Sequence, residues 1–344
     1  MAESLLCVIG PRPLDREIVG GVGLPYVRLN VGGVNGMAPW RVGLNLARFA
    51  LAVPRAAAII RRFKPDVVLV GGGYVCAPVA VAAALLRVPI ITLCVDVAPG
   101  WAVRLAARLS ARVATAFPAS LVLLPAEPKT VVTGYPVRDE FRHVDRMAAR
   151  RRLGLPEGER VVLAFGGSLG ARAINRAIEG ALDRLLPVAH VMHITGRSAA
   201  NQGDTGTRGE DLVPALPPRD VDRYHPYPYL DARGMADALA AADLAICRAG
   251  AATMAELPAA GTPAVLIPGE FSAQESNARS LAEAGAAIVI LDRELDARRL
   301  ADETLALLSD HERLTHMAAA CRALAQLDAA NRIAALVRET VGHE

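Results

Sequence analysis

The stretch Ala245 to Gly285 reads AICRAGAATMAELPAAGTPAVLIPGEFSAQESNARSLAEAG. It parses as a strand, a glycine turn, a short helix, a second strand, a loop with polar residues, and a second helix. The turn Arg248-Ala249-Gly250 delivers the chain into a helix whose first turns carry Thr253 and Glu256. A helix start offers backbone N–H groups without intrahelical partners and a partial positive charge, which suits a phosphate. Thr253 and Glu256 are spaced to lie on one helix face. A carboxylate there can accept both hydroxyls of a ribose through charge-assisted hydrogen bonds. The same Thr-x-x-Glu spacing also matches a capping box, in which the two side chains serve only the helix's own N–H groups.

Outward from this stretch the same pattern repeats. Strands are expected at Arg160–Phe165, Val191–Thr195, Tyr227–Leu230 and Leu244–Cys247, with helices at Ala171–Leu186 and Met235–Ala242. Gln202 to Asp220 is a Gly/Asp/Pro-rich loop. Helices close the chain at Ala297–Leu308, His311–Gln326 and Ala330–Val341. In the N-terminal half, strands are expected at Leu5–Gly10, Tyr26–Asn30, Asp66–Val70, Val88–Leu93, Leu121–Leu124 and Thr130–Thr133. Helices there are a long one from Pro39 to Phe63, a small-residue one after Gly71-Gly-Gly-Tyr-Val, and an Arg-rich one over Trp101–Phe117. The first strand shows no convincing helix after it. Strand runs that are continuously apolar and alternate with helices imply buried parallel sheets. The expectation is an α/β chain of two Rossmann-like domains across a cleft, with ligands at the C-terminal ends of the strands.

Composition sets the limits. The 344 residues suit two domains, and 53% hydrophobic against 21% charged residues supports a large core. The net charge is +3, nearly all the basic charge is Arg, and no basic tract is interleaved with aromatics, so nucleic acid is not an expected partner. The five cysteines are scattered in apolar contexts and read as buried thiols of a reducing compartment. No Cys/His spacing suggests a metal, and no cofactor is implied. The longest apolar run, Val75 to Leu86, is too short to span a bilayer, and the N-terminus carries no signal-peptide pattern.

A second glycine-rich junction, Phe165-Gly-Gly-Ser-Leu-Gly-Ala-Arg-Ala-Ile-Asn175, lies between a strand and a helix. Glycines admit a phosphate to the backbone and Ser168 adds a hydroxyl, although such turns are often only structural. The spacing is not GxGxxG and no acidic residue follows at the dinucleotide distance.

GGSLGARAIN (166–175), TGYPVRDEF (133–141), the run 249–268 and NARSLAEAGAA (277–287) resemble the MurG family of GT-B N-acetylglucosaminyltransferases, glycosyltransferase family 28. So do VGGVNG (31–36) and GGGYVCAP (71–78). The resemblance runs in order from about residue 5 to the C-terminus. It implies that UDP-N-acetylglucosamine binds the C-terminal domain and an undecaprenyl-linked acceptor the N-terminal one. Residue by residue, Ser168 would contact the donor phosphates and Leu230 would pack near the uracil. Arg248 opens the donor motif, with Ala251, Ala252, Thr253, Met254, Ala255 and Glu256 against the nucleotide. Within that run Thr253 falls at the phosphates and Glu256 at the ribose. Gln274 would contact the sugar with Asn277 beyond it, Arg138 matches the family's NPVR arginine, and Gly72, Gly73 and Tyr74 would face the acceptor diphosphate. The implied domains are 1–138 for the acceptor, 139–329 for the donor, and 330–344 as a C-terminal helix packing back on the first domain.

Departures from the family are concentrated in the N-terminal half. The family's GGTGGH loop, with its proposed general-base histidine, has no counterpart, so the first β-loop-α unit is expected to be missing. A start placed too far downstream, divergent chemistry and a non-catalytic relative all fit. The family's HEQN segment is here Leu93-Cys-Val-Asp96, which leaves Asp96 as the best in-chain candidate base, or alternatively a helix N-cap. His193, beside Gly196, is a weaker functional candidate. The resemblance implies inverting transfer to the lipid-linked acceptor in peptidoglycan synthesis. A UDP-GlcNAc 2-epimerase and a catalytically impaired UDP-sugar-binding protein are the alternatives. The Trp40–Arg62 segment reads either as a core helix with a solvated Arg face or as a patch for anionic lipid. With a membrane-borne acceptor, a peripheral place on the cytoplasmic face of the membrane is expected, with other cell-wall enzymes as possible partners.

Overall fold

The computed structural model describes residues 4–31, 39–126, 129–167, 170–196, 217, 220–270 and 273–342, with backbone alone at residues 14 and 39–47. Ser168 and the VGGVNG loop after Val31 lie outside the described residues, as does nearly all of the 202–220 loop. The chain divides into two compact units, Met1–Gly134 with Asn331–Glu344, and Tyr135–Ala330.

In the first unit the order is β1 (Cys7–Ile9), α1 (Pro13–Gly21), β2 (Tyr26–Arg28), α2 (Pro39–Phe63), β3 (Val68–Val70), α3 (Cys76–Leu85), β4 (Ile90–Cys94), α4 (Trp101–Leu109), β5 (Arg112–Thr115) and β6 (Thr130–Val132). The strands form two parallel sheets, β1-β2 and β3-β4-β5-β6. Among the described residues no strand joins them.

Three expectations are corrected here. A helix does follow the first strand: α1 starts with Pro13 in its first turn and ends in Gly20-Gly21, a composition too glycine-rich to announce itself. The expected helix over Trp101–Phe117 stops at Leu109, and its tail becomes β5, whose Val113, Ala114 and Thr115 are wholly buried. Pairing on both sides, with β4 and β6, overrides the helical bias of that Ala/Arg-rich segment. The expected strand at Leu121–Leu124 is instead a 3-10 turn over Pro118–Leu123.

In the second unit follow α5 (Arg146–Arg152), β7 (Arg160–Phe165), α6 (Arg172–Glu179), α7 (Leu182–Leu185), β8 (Ala189–Ile194), β9 (Tyr224–Tyr227), α8 (Ala232–Ala241), β10 (Leu244–Cys247), α9 (Ala251–Ala260), β11 (Ala264–Leu266), α10 (Gln274–Glu283), β12 (Ala287–Val289), α11 (Ala297–Ser309) and α12 (His311–Ala323). The single helix expected over Ala171–Leu186 is broken at Gly180 into α6 and α7. Six parallel strands lie in the order β12-β11-β10-β7-β8-β9. β8 and β10 are buried throughout and β7 at every position but Arg160, as a helix-covered parallel sheet requires, while the edge strand β9 buries only Tyr224. Ile174, Ile178, Leu185 and Leu186 from α6 and α7 and Leu300 and Leu307 from α11 fill one core against Val162, Val191 and Ile246.

The last helix, α13 (Ala329–Val341), returns to the first unit. Its Ile333 and Leu336 pack on Ile91 and Ala114, and Arg112 pairs with Glu339.

Candidate functional site

The site in the second unit follows from the strand order. The chain runs outward from β7 through β8 to β9, then returns to lay β10, β11 and β12 on the other side. The direction reverses between β7 and β10, and such a switch point opens a crevice beyond the strand ends. Phe165 and Cys247, the last residues of these two strands, are paired, so the two glycine turns that follow stand side by side.

The turn after β7 needs glycine for space as well as for conformation. A Cβ on Gly166 would lie 2.2 Å from the Ala171 nitrogen. Gly167 and Gly170 have φ of +92° and +81°, and a Cβ on Gly170 would lie 2.2 Å from the Thr195 carbonyl oxygen. The Gly170 N–H donates to the Gly167 carbonyl at 2.9 Å, closing the turn.

The turn after β10 starts α9. Gly250 is its N-cap, with no side-chain hydrogen bond to the helix start. By contrast α5, α8, α11 and α12 are each closed by an aspartate, Asp145, Asp231, Asp296 and Asp310. Like α9, α6 has no side-chain cap, and neither have α1, α3, α4, α7 and α10. The capping box is therefore not made: Thr253 lies inside the first turn, not at the cap. The helix start at Ala251, Ala252 and Thr253 remains half-buried beside the glycine turn.

Glu256 is 7% exposed, and its Oε1 accepts from Arg138 Nη2 at 2.7 Å. Arg138 in turn lies over the Phe141 ring, 5.4 Å from its centroid. Arg248 is held away from the helix start: its Nη1 donates to the Ile267 carbonyl at 3.1 Å and to Asp292 Oδ1 at 2.5 Å. Asn277 is wholly buried and donates to the Ala249 carbonyl at 3.1 Å, fixing the second turn from α10. Gln274 Oε1 accepts from the Gly269 N–H at 2.9 Å and shapes the loop after β11. Leu230 follows β9, just ahead of the Asp231 cap. Met254 is buried in the core face of α9, and Ala255 is half-buried.

The first unit carries the remaining candidates on adjacent strands. Gly72 and Gly73, with φ of +108° and +71°, form the turn between β3 and α3, and Tyr74 packs on the core. Asp96 lies two residues past β4, which pairs with β3. The N-cap of α4 is Gly100, so Asp96 is not a helix cap. The Asp96 carbonyl accepts from Cys94 Sγ and Ser120 Oγ at 3.3 and 3.2 Å. Burial pushes the Cys76 and Cys94 thiols up to about 11, leaving them protonated and unreactive. Among the described residues no group of three or more His, Cys, Asp or Glu is placed to hold a metal ion.

Sequence reasoning named His193 but not the cluster around it, and missed Arg150 altogether. His193 is 0% exposed within β8, between Tyr224 and Asn175. Arg150 is 2% exposed and donates to the carbonyls of Ala241, Pro156, Glu157 and Glu159 and to Asp243. The available signals were Asn175 inside the glycine motif and the four arginines of α5, among which the sequence does not single out Arg150.

The glycosyltransferase family 28 N-terminal domain matches residues 7–115, and the family 28 C-terminal domain matches residues 161–333. The chain belongs to glycosyltransferase family 28. Among family 28 relatives, the UDP-N-acetylglucosamine–N-acetylmuramyl-(pentapeptide) pyrophosphoryl-undecaprenol N-acetylglucosamine transferase of Desulforudis audaxviator is 36% identical, covering 98% of this chain and 91% of its own. The enzyme of the same name from Roseiflexus is 39% identical over 92% of this chain and 79% of its own. The crystal structure of Acinetobacter baumannii MurG superposes with a TM-score of 0.74 at 25% identity, covering 98% and 91% of the two chains. A UDP-GlcNAc 2-epimerase from Neisseria meningitidis bound to UDP-GlcNAc shares the fold at 14% identity, with a TM-score of 0.62 and coverage of 98% and 100%. This family 28 chain thus has the two-unit GT-B architecture and is a transferase.

Proposed function

We propose that this family 28 enzyme transfers N-acetylglucosamine from UDP-N-acetylglucosamine to the lipid-linked N-acetylmuramyl-pentapeptide, with inversion, as a step of peptidoglycan synthesis. One observation carries the reading: an uncapped helix start, a sterically required glycine turn and a buried carboxylate meet at the β7/β10 switch point. That trio matches the phosphates and ribose of a nucleoside diphosphate.

In this reading the glycine turn with Ser168 and the start of α9 at Ala251, Ala252 and Thr253 hold the diphosphate. Glu256, aligned by Arg138, accepts the ribose hydroxyls, and Leu230 packs near the base. Gln274 and Asn277 set the loops against the sugar, while Arg248 braces the second turn from behind. Gly72, Gly73 and Tyr74 face the acceptor diphosphate. A base removes the proton of the acceptor hydroxyl as it attacks the anomeric carbon, and Asp96, beyond β4, is the candidate. Donors at the helix starts stabilise the departing UDP.

The acceptor places the enzyme at a membrane surface, peripherally and on the cytoplasmic side, within reach of other cell-wall enzymes. Among the described residues no helix is long and apolar enough to cross a membrane. α2 buries Ala52, Ala56, Ala57 and Ile60 and exposes Leu51, Arg55, Arg61 and Arg62, an apolar-basic face that suits anionic lipid. The test is transfer of radiolabelled sugar from UDP-N-acetylglucosamine to lipid I. Labelled lipid II is the expected product. UDP binding with no labelled lipid, or conversion of the free nucleotide sugar instead, would overturn the transferase reading.

A further inference from the structure

The buried polar row beneath the glycine turn has no part in the chemistry above. It begins at Tyr224 on β9, whose hydroxyl is 2.9 Å from His193 Nδ1. His193 Nε2 is 3.3 Å from Asn175 Oδ1 on α6. Asn175 Nδ2 donates to the Thr195 carbonyl at 2.9 Å. That same carbonyl is the atom against which Gly170 packs, and Gly170 closes the turn on Gly167. The row therefore runs without a gap from the sheet interior to the loop at the switch point.

Its hydrogen-bond directions are fixed. Asn175 uses its amide N–H₂ on Thr195, so its oxygen faces the ring and must receive a proton. His193 Nε2 therefore carries the hydrogen, Nδ1 is the acceptor, and the Tyr224 hydroxyl donates to it. Burial pushes the His193 pKa down to about 4, so the ring is neutral near neutral pH, as this single arrangement demands. Being 0% exposed, the ring cannot touch a substrate. Its reach ends at the position of the turn.

We propose that His193 is a positioning residue for the donor diphosphate, acting through Asn175 and the Thr195 carbonyl on Gly170, where the glycine turn closes on Gly167. This rests on the reading that the turn holds that diphosphate. Phenylalanine at 193 would fill the space without supplying the Nε2 hydrogen, leaving the Asn175 amide free to rotate and the Thr195 carbonyl without its fixed donor. Glutamine can restore a donor toward Asn175.

The experiment is calorimetric binding of UDP and of uridine to wild type, His193→Phe, His193→Gln and Asn175→Leu, with urea unfolding of each. His193→Phe is expected to weaken UDP about tenfold, the worth of a hydrogen bond or two, while uridine changes less than twofold. His193→Gln should recover most of the loss, and KM for the nucleotide sugar should rise more than kcat falls. Equal weakening of UDP and uridine would overturn the proposal, because His193 would then support the domain in general. Unchanged UDP affinity in His193→Phe would overturn it as well. Should His193→Phe fail to fold, Asn175→Leu, which removes the amide linking the ring to the Thr195 carbonyl, decides by the same comparison. A wild type that gains no affinity from the diphosphate of UDP over uridine would instead remove the underlying reading of the turn.

Discussion

Replacing Glu256 by alanine tests the nucleotide site most directly. The carboxylate is 7% exposed on α9, and one oxygen is engaged by Arg138 at 2.7 Å. Two consequences separate. For the fold, the loss is an ion pair whose cationic side chain is 47% exposed and can return to water, so stability should fall by only about 1 kcal/mol. For the ligand, the loss is a charged acceptor for ribose hydroxyls, about 1.5–3 kcal/mol, or roughly 10- to 150-fold in Kd. Calorimetric titration with UDP at fixed salt measures the second quantity, and urea unfolding measures the first. Arg138→Met gives the contrast: it keeps the carboxylate but leaves it nearly buried without its partner, so it should cost more stability than Glu256→Ala while weakening UDP only several-fold. If Glu256→Ala binds UDP within twofold of wild type while its midpoint falls, Glu256 is an anchor for Arg138 and nothing more. The ribose assignment would then be wrong.

Two further outcomes follow from the buried polar groups. Arg150→Met should cost about 3–5 kcal/mol in urea unfolding, because one guanidinium serves four carbonyls and Asp243 in a site that water does not reach. A loss below about 1 kcal/mol would mean that the loop from α5 to β7 reorganises freely. The second concerns acid. The His193 pKa falls from an ordinary 6.5 to about 4 in the folded state, so below pH 6.5 the unfolded chain binds the extra proton. Stability should therefore be complete above about pH 6.5 and decline toward pH 4, by about 3 kcal/mol from this residue. His190 and His225, also held down by burial, add to the same slope. Unfolding midpoints of wild type and His193→Gln between pH 4 and 7 isolate the His193 share, and parallel curves would refute it.

How much was legible follows from where each signal lives. The Ala245–Gly285 stretch was readable because its strands, turns and helices are each announced by several neighbouring residues. β10, α9, β11 and α10 fall where the apolar runs and glycines place them. β5 was not readable, since Arg112–Thr115 has no strand pattern of its own and becomes a strand only by lying between β4 and β6. α1 escaped notice because its glycines weaken helix propensity, and its position beside β1 sustains it instead.

The sequence by itself determined that this is an α/β chain with two glycine turns and a Thr-x-x-Glu helix start, because those features depend on local backbone chemistry. It left the meaning of Glu256 open between helix cap and ligand. The tertiary structure removes the cap, by making Gly250 the N-cap with no side-chain bond, and brings Arg138 to the carboxylate across 118 residues of chain. The same holds for His193: its neighbours Asn175 and Tyr224 come from a different helix and strand. A partner so distant along the chain leaves no local pattern, and parallel strand order alone brings it into contact.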